Sequence, residues 1–330
     1  MRNICFLICG FFWLLHTPGS GQSQSLYSQY TLNKYLYNPA IAGADGYTSV
    51  SLLARRQLVG FENSPGVIVL SGQTRLLPES YIMKMIQPRK KENRKTRSGR
   101  VGLGGAIFSD RNGALSKTGI QGTYAYHINF NNKMQLSFAL SASAYQVHLR
   151  EGTMKDPGDP LWEGNPKSFL VPDANFGTYL LTDSYYAGFS TSNLFGAYMK
   201  LGKEALEDYR IPRYFYLVGG YRWYPTENLK VEPSFIMQTK VGNPEVDVNT
   251  TVTYRNELWA GMSYRTDKTV VFLAGYSMKG LVIGYAYDLN FNTVSSYTHG
   301  SHEVLAGYRF GDNSASRNRW LRRDVKTFEN

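Results

Sequence analysis

The side chains that could do chemistry are few and scattered. Four of the five histidines, His127, His148, His299 and His302, lie well inside the chain, and no HxxxH pair or His/carboxylate cluster has metal-ligand spacing. Gly102-Leu103-Gly104-Gly105 falls short of the GxGxxG pattern of a phosphate loop, and no helical stretch follows it. Glycines set in a strand for close packing account for the run better. Asp110-Arg111-Asn112-Gly113 begins like a calcium loop but lacks the remaining ligands, and a hairpin turn explains it fully. No nucleophile, base and orienting group can be read together, so neither enzyme activity nor a cofactor or metal is expected.

The concentrated feature is charge. Leu77–Arg100 carries Lys84, Arg89, Lys90, Lys91, Arg94, Lys95, Arg97 and Arg100, and the C-terminal stretch carries Arg317, Arg319, Arg322 and Arg323. The formal net charge is +11, and much of it resides in these two segments. No aromatic ladder interleaves the charges and the chain reads as exported, so nucleic acid is not an expected partner. Two readings stay open: a solvated basic loop, or a docking surface for an acidic periplasmic partner.

The elements that must position these residues are strands. Leu281, Ile283, Tyr285, Tyr287 and Leu289 alternate with Val282, Gly284, Ala286 and Asp288, and Val304, Ala306, Tyr308 and Phe310 with Glu303, Leu305, Gly307 and Arg309. Period two with one aromatic, apolar face and one small or polar face is the pattern of a strand between lipid and a wet lumen. Ile120–Asn129, Gln135–Ser143 and Val246–Tyr254 repeat it. Tyr at 25 residues and Gly at 32, with few helix-forming runs, point to an all-β chain. The mean hydropathy of −0.34 does not argue against lipid, because an alternating wall averages low. The spacing predicts an all-β, transmembrane outer-membrane β-barrel of about 14 antiparallel strands over 47–310.

Arg2, the apolar run Ile4–Leu15 and the small residues of Thr17–Gly21 read as a signal peptide over 1–21, containing both cysteines, Cys5 and Cys9. Residues 22–46 read as an N-terminal periplasmic lead-in that packs against or inside the barrel, or else as a disordered arm. With a periplasmic N-terminus, Asn129–Lys133, Thr182–Ser184, Pro225–Asn228, Arg255–Glu257 and Ser277–Gly280 become short periplasmic turns. Leu149–Pro172, Ser192–Pro212 and Asn290–Ser301 become extracellular loops, and the basic insert 77–100 and basic tail 311–330 share the periplasmic side.

A set of short motifs runs through Gln29-Tyr30, Tyr37-Asn38-Pro39-Ala40, Ala42-Gly43, Arg56-Gln57, Gly102 and Gly104, Asp110 and Gly113, and Tyr124-Ala125-Tyr126-His127. It continues through Pro172-Asp173, Tyr186, Gly188 and Ser190, Trp259, Gly261 and Ser263-Tyr264-Arg265, Tyr287-Asp288, Gly300-Ser301-His302-Glu303 and Tyr308-Arg309-Phe310. In these residues the chain resembles the PorP/SprF outer-membrane proteins of the type IX secretion and gliding-motility machinery. The resemblance implies a barrel that serves protein export or surface anchoring of cargo with C-terminal sorting signals. It also implies partners: a periplasmic lipoprotein ring and a peptidoglycan-binding protein of the secretion machine. Residues 77–100 look longer than the family's usual connection. The competing function is a passive porin or FadL-like transport channel.

Overall fold

Alternating sequence becomes a closed wall. The computed structural model describes residues 26–61, 63–76, 99–113, 115–130, 134–149, 168–196, 198–201, 207–240, 243–291 and 298–310. The first half of the wall is β1 (Thr48–Arg56), β2 (Gly66–Arg75), β3 (Val101–Asn112), β4 (Leu115–Phe130), β5 (Met134–Leu149), β6 (Ser168–Thr182) and β7 (Tyr185–Ser192). A separate hairpin, β8 (Tyr198–Leu201) and β9 (Glu207–Arg210), follows. The wall resumes with β10 (Tyr214–Tyr221), β11 (Trp223–Thr226), β12 (Leu229–Lys240), β13 (Asn243–Tyr254), β14 (Leu258–Arg265), β15 (Thr269–Met278), β16 (Leu281–Asn290) and β17 (Ser301–Phe310). Each wall strand pairs antiparallel with its sequence neighbour, β7 pairs with β10, and β1 pairs with β17, so no edge is left along the circuit. β10 and β11 are one wall strand interrupted at Arg222, since both pair with β12, which makes the barrel 14-stranded as the spacing predicts.

Closure is what lets a sheet stand in lipid, because every ladder donor and acceptor finds a partner. The outward face is apolar: Ile68, Ile107, Ile120, Leu140, Met262 and Tyr264 are each more than half exposed. In β16, Leu281, Ile283 and Tyr285 point out while Val282, Gly284, Ala286 and Asp288 are buried, the phase expected from the sequence. Short turns gather at one end, where β6 meets β7, β11 meets β12, β13 meets β14 and β15 meets β16. Two of them, at Arg255-Asn256 and Lys279-Gly280, hold two successive left-handed residues, which matches the twist of a tight hairpin. The longer connections after β5, β7 and β16, with the β8–β9 hairpin, leave the wall at the opposite, loop end, whereas the insert between β2 and β3 leaves it at the turn end.

Two boundaries differ from expectation. β4 and β5 run for 16 residues and β6 for 15, against 8 for β7 and β14. A spanning strand needs only about 9–11 residues, so β4–β6 project past the lipid at the loop end. Ser168–Pro172 falls in the stretch Leu149–Pro172 that its Gly/Pro-rich composition marks as a loop, yet it belongs to β6. Here β7 pairing begins only at Phe176, so the proline sits where one flank of β6 has no β7 partner. Val171 with Tyr145, Val147 and Ile211 then buries the inner face of this projection.

Candidate functional site: a filled lumen

Residues 26–46 occupy the inside of the barrel. Two 3-10 turns, Lys34–Leu36 and Pro39–Ile41, compact the segment; Asn38 caps the second by accepting from the Ala40 amide at 2.9 Å. Leu26, Tyr30, Tyr35, Ala40, Ala42 and Ala44 are buried to 2% exposure or less. Their partners come from all round the wall. Tyr30 bonds Ser234 of β12, Asn33 donates to Ser51 of β1 and Ser71 of β2, and Tyr35 bonds Thr123 of β4. Asn38 donates to the carbonyl of Thr178 on β6, and Ser190 of β7 donates to that of Tyr37. The contacts also give a direction. Ser28 and Gln29 meet the loop-end half of β16 and β17, whereas the Ala44 carbonyl meets Arg75 and Gln135 beside the turns.

The wall is cut to fit this segment. A Cβ on Gly102 would lie 2.0 Å from the Ala42 carbonyl oxygen, and one on Gly177 would lie 2.2 Å from Asn38 Oδ1. Gly104 faces the Tyr35 ring in the same way, and Gly284 faces Gln29. His127, fully buried, donates from Nε2 to the Ala42 carbonyl at 3.0 Å and accepts at Nδ1 from Ser137 at 2.7 Å. Its ring is thus committed to holding the segment.

A chain of buried ion pairs runs along the inner face of β13, β14, β16, β17 and β1 near the loop end. Arg265 reaches Asp247 at 3.1 Å and Asp288 at 3.6 Å; Arg55 reaches Asp288 at 2.7 Å and Glu303 at 2.9 Å. The backbone amides of Ser28 and Gln29 donate to the two Glu303 oxygens at 2.9 and 2.8 Å, and the Ser28 hydroxyl donates to Asp288. Lower down, Lys34 pairs with Glu232 at 3.2 Å and stacks over the Tyr186 ring at 3.8 Å, while Tyr186 donates to the same carboxylate. Charges buried in this way need complete hydrogen bonding to be tolerated, and the inserted segment supplies part of it. At the loop-end mouth, Ile211 packs on Tyr145, Val147 and Val171, adding an apolar cover.

Of the charged residues singled out in the sequence, Arg100 is described: it is half-buried beside β3 and lies 3.5 Å from the Tyr126 hydroxyl. Lys84, Arg89, Lys90, Lys91, Arg94, Lys95, Arg97, Arg317, Arg319, Arg322 and Arg323 lie outside the described residues, as does the segment read as a signal peptide. The roots of the two basic segments are described. The insert joins the turn ends of β2 and β3, and β17 ends at Phe310 opposite Thr48 of β1. With β1 between β17 and β2, the roots stand two strands, roughly 10 Å, apart. Arg55, Asp247, Arg265, Asp288 and Glu303 were given no site role in the sequence, although Arg265, Asp288 and Glu303 fall within the family resemblance and each is a charge at an inward phase of an alternating strand.

The profile of a family described as type IX secretion system membrane protein PorP/SprF matches residues 19–308. No curated protein sequence matches the chain. Among solved structures, the toluene transporter TbuX of Ralstonia pickettii is similar at 14% identity and a TM-score of 0.48, over 83% of this chain and 92% of that one. The KdgM porin is similar at 9% identity and a TM-score of 0.33, over 80% of this chain and 99% of that one.

Proposed function

Because this chain belongs to the PorP/SprF family of type IX secretion system membrane proteins, we propose that it works in the outer membrane as a protein-binding part of that machine. It supports export or surface anchoring of cargo and does not pass solutes. The observation that carries this reading is the lumen filled by residues 26–46 along most of its height, with polar and glycine positions of the wall shaped to hold them. A porin or FadL-like channel needs an open or openable path there. Outer-membrane placement after signal-peptide removal, with the turn end toward the periplasm, fits the sidedness of short turns and long loops.

The basic insert and basic tail form the docking face of this reading. Lys84, Arg89, Lys90, Lys91, Arg94, Lys95, Arg97 and Arg100 with Arg317, Arg319, Arg322 and Arg323 gather positive charge on roots two strands apart. Such a field suits acidic periplasmic components, a lipoprotein ring and a peptidoglycan-binding protein, by steering and orienting them. Serine at these twelve positions should abolish co-purification with those components and reduce the secreted proteome while leaving the barrel folded. Unchanged recovery and unchanged secretion would remove the docking role.

A further inference from the structure

At the loop end the outward face changes from apolar to polar, and over β1–β3 it becomes basic. Arg56 ends β1 and Arg111 stands near the end of β3, and both are exposed. In register, Arg56 lies opposite Gly66 of β2, and Gly66 lies opposite Arg111. The two arginines are therefore two strands, roughly 10 Å, apart, and glycine leaves the space between them clear. Arg56 donates from Nε to Ser64 Oγ at 2.7 Å, which anchors the side chain at the strand end. Neither guanidinium has a carboxylate partner among the described residues.

The surface beneath them is hydrocarbon-facing. Toward the barrel middle the same three strands present Ile68 at 58% exposure and Ile107 at 56%, with Leu52 and Leu70 beside them. His302 lies opposite Arg56 on β17 and bonds the Tyr285 hydroxyl at 2.7 Å, which extends the polar row on that flank. Two planar, multidentate cations without a carboxylate partner among the described residues, set at the upper border of an apolar wall, match one chemistry. That chemistry is a phosphate in the headgroup layer with acyl chains below it.

We propose that Arg56 and Arg111, across Gly66, bind the phosphate of an anionic lipid headgroup in the leaflet at the loop end, its acyl chains lying on Leu52, Ile68, Leu70 and Ile107. The site stands apart from the basic insert and tail and needs no secretion partner. Charge complementarity and continuity with the lipid-facing wall identify the occupant as lipid. Lysine would serve less well here, since guanidinium grips phosphate oxygens in pairs.

The test uses the full chain folded in detergent, incubated with lipid A and with phosphatidylcholine, and native mass spectrometry to count retained lipid. Wild type should retain lipid A over phosphatidylcholine. Arg56→Gln/Arg111→Gln should lose it by about tenfold, the loss of one to two charge-assisted hydrogen bonds, and Arg56→Lys/Arg111→Lys should recover part. Equal retention by the glutamine variant, or no preference in wild type, overturns the proposal. Stripping of lipid A by millimolar inorganic phosphate would assign a free-anion site and overturn it as well. Heat-modifiable migration on gels reports folding, and should a variant not fold, the wild-type preference for lipid A over phosphatidylcholine still decides.

Discussion

At the scale of single residues, Arg55 ties the most together. It holds Asp288 and Glu303, both of which also bind the inserted segment through Ser28 and Gln29. Replacing it with alanine leaves Glu303 buried without its cation and Asp288 with Arg265 alone, a loss of about 3–5 kcal/mol. Guanidinium unfolding of the barrel in lipid vesicles should register a lower midpoint; a midpoint equal to wild type would show that the network carries no such stability. The network was legible only in part. Arg55, Asp288 and Glu303 each occupy an inward phase of an alternating strand, which marks them as luminal. Their mutual contact was not legible, because it joins positions more than two hundred residues apart whose meeting depends on register and barrel shear. His127 shows the same limit: its lumen-facing phase could be read, but its carbonyl partner at Ala42 could not.

At the scale of elements, alternation carried nearly all the information. Strand phases in β4, β5, β13, β16 and β17 follow the apolar side chains outward as read, because a one-residue slip would turn every one of them inward. Leu140, 61% exposed near the middle of β5, tests this directly. Leu140→Arg should cost about 2–4 kcal/mol in vesicle folding, whereas a two-layer soluble sheet would accept an arginine on its wet face. No penalty in lipid would reverse the assignment of that face. The spacing carries β4 from Lys117 and β5 to Val147, and the structure adds two residues to each at the loop end, where outward His148 pairs with Ser116 and no apolar side chain marks the continuing ladder. β6 begins five residues before the expected Asp173, across Pro172. The break at Arg222 and the β8–β9 hairpin have no periodic signature either.

At the scale of the whole molecule, the wall and its contents behave as one body. Sequence left open whether residues 22–46 enter the barrel or trail from it; irregular, Tyr-rich segments have no period from which a location can be read. The described part, 26–46, fills the bore and is bonded to strands on every side. Wild type in a planar bilayer should therefore be silent, and a chain deleted for residues 26–46 should conduct or gate irregularly if it folds. Steady large conductance from wild type would refute the filled bore. The Ser28 and Gln29 amides rest on Glu303, a residue translated some 275 positions later, and the same strand supplies the seam with β1. The beginning of the polypeptide cannot settle until its end has arrived. Biogenesis must then keep the early residues unengaged through synthesis and transit, and the final strand both zips the cylinder and traps what it encloses.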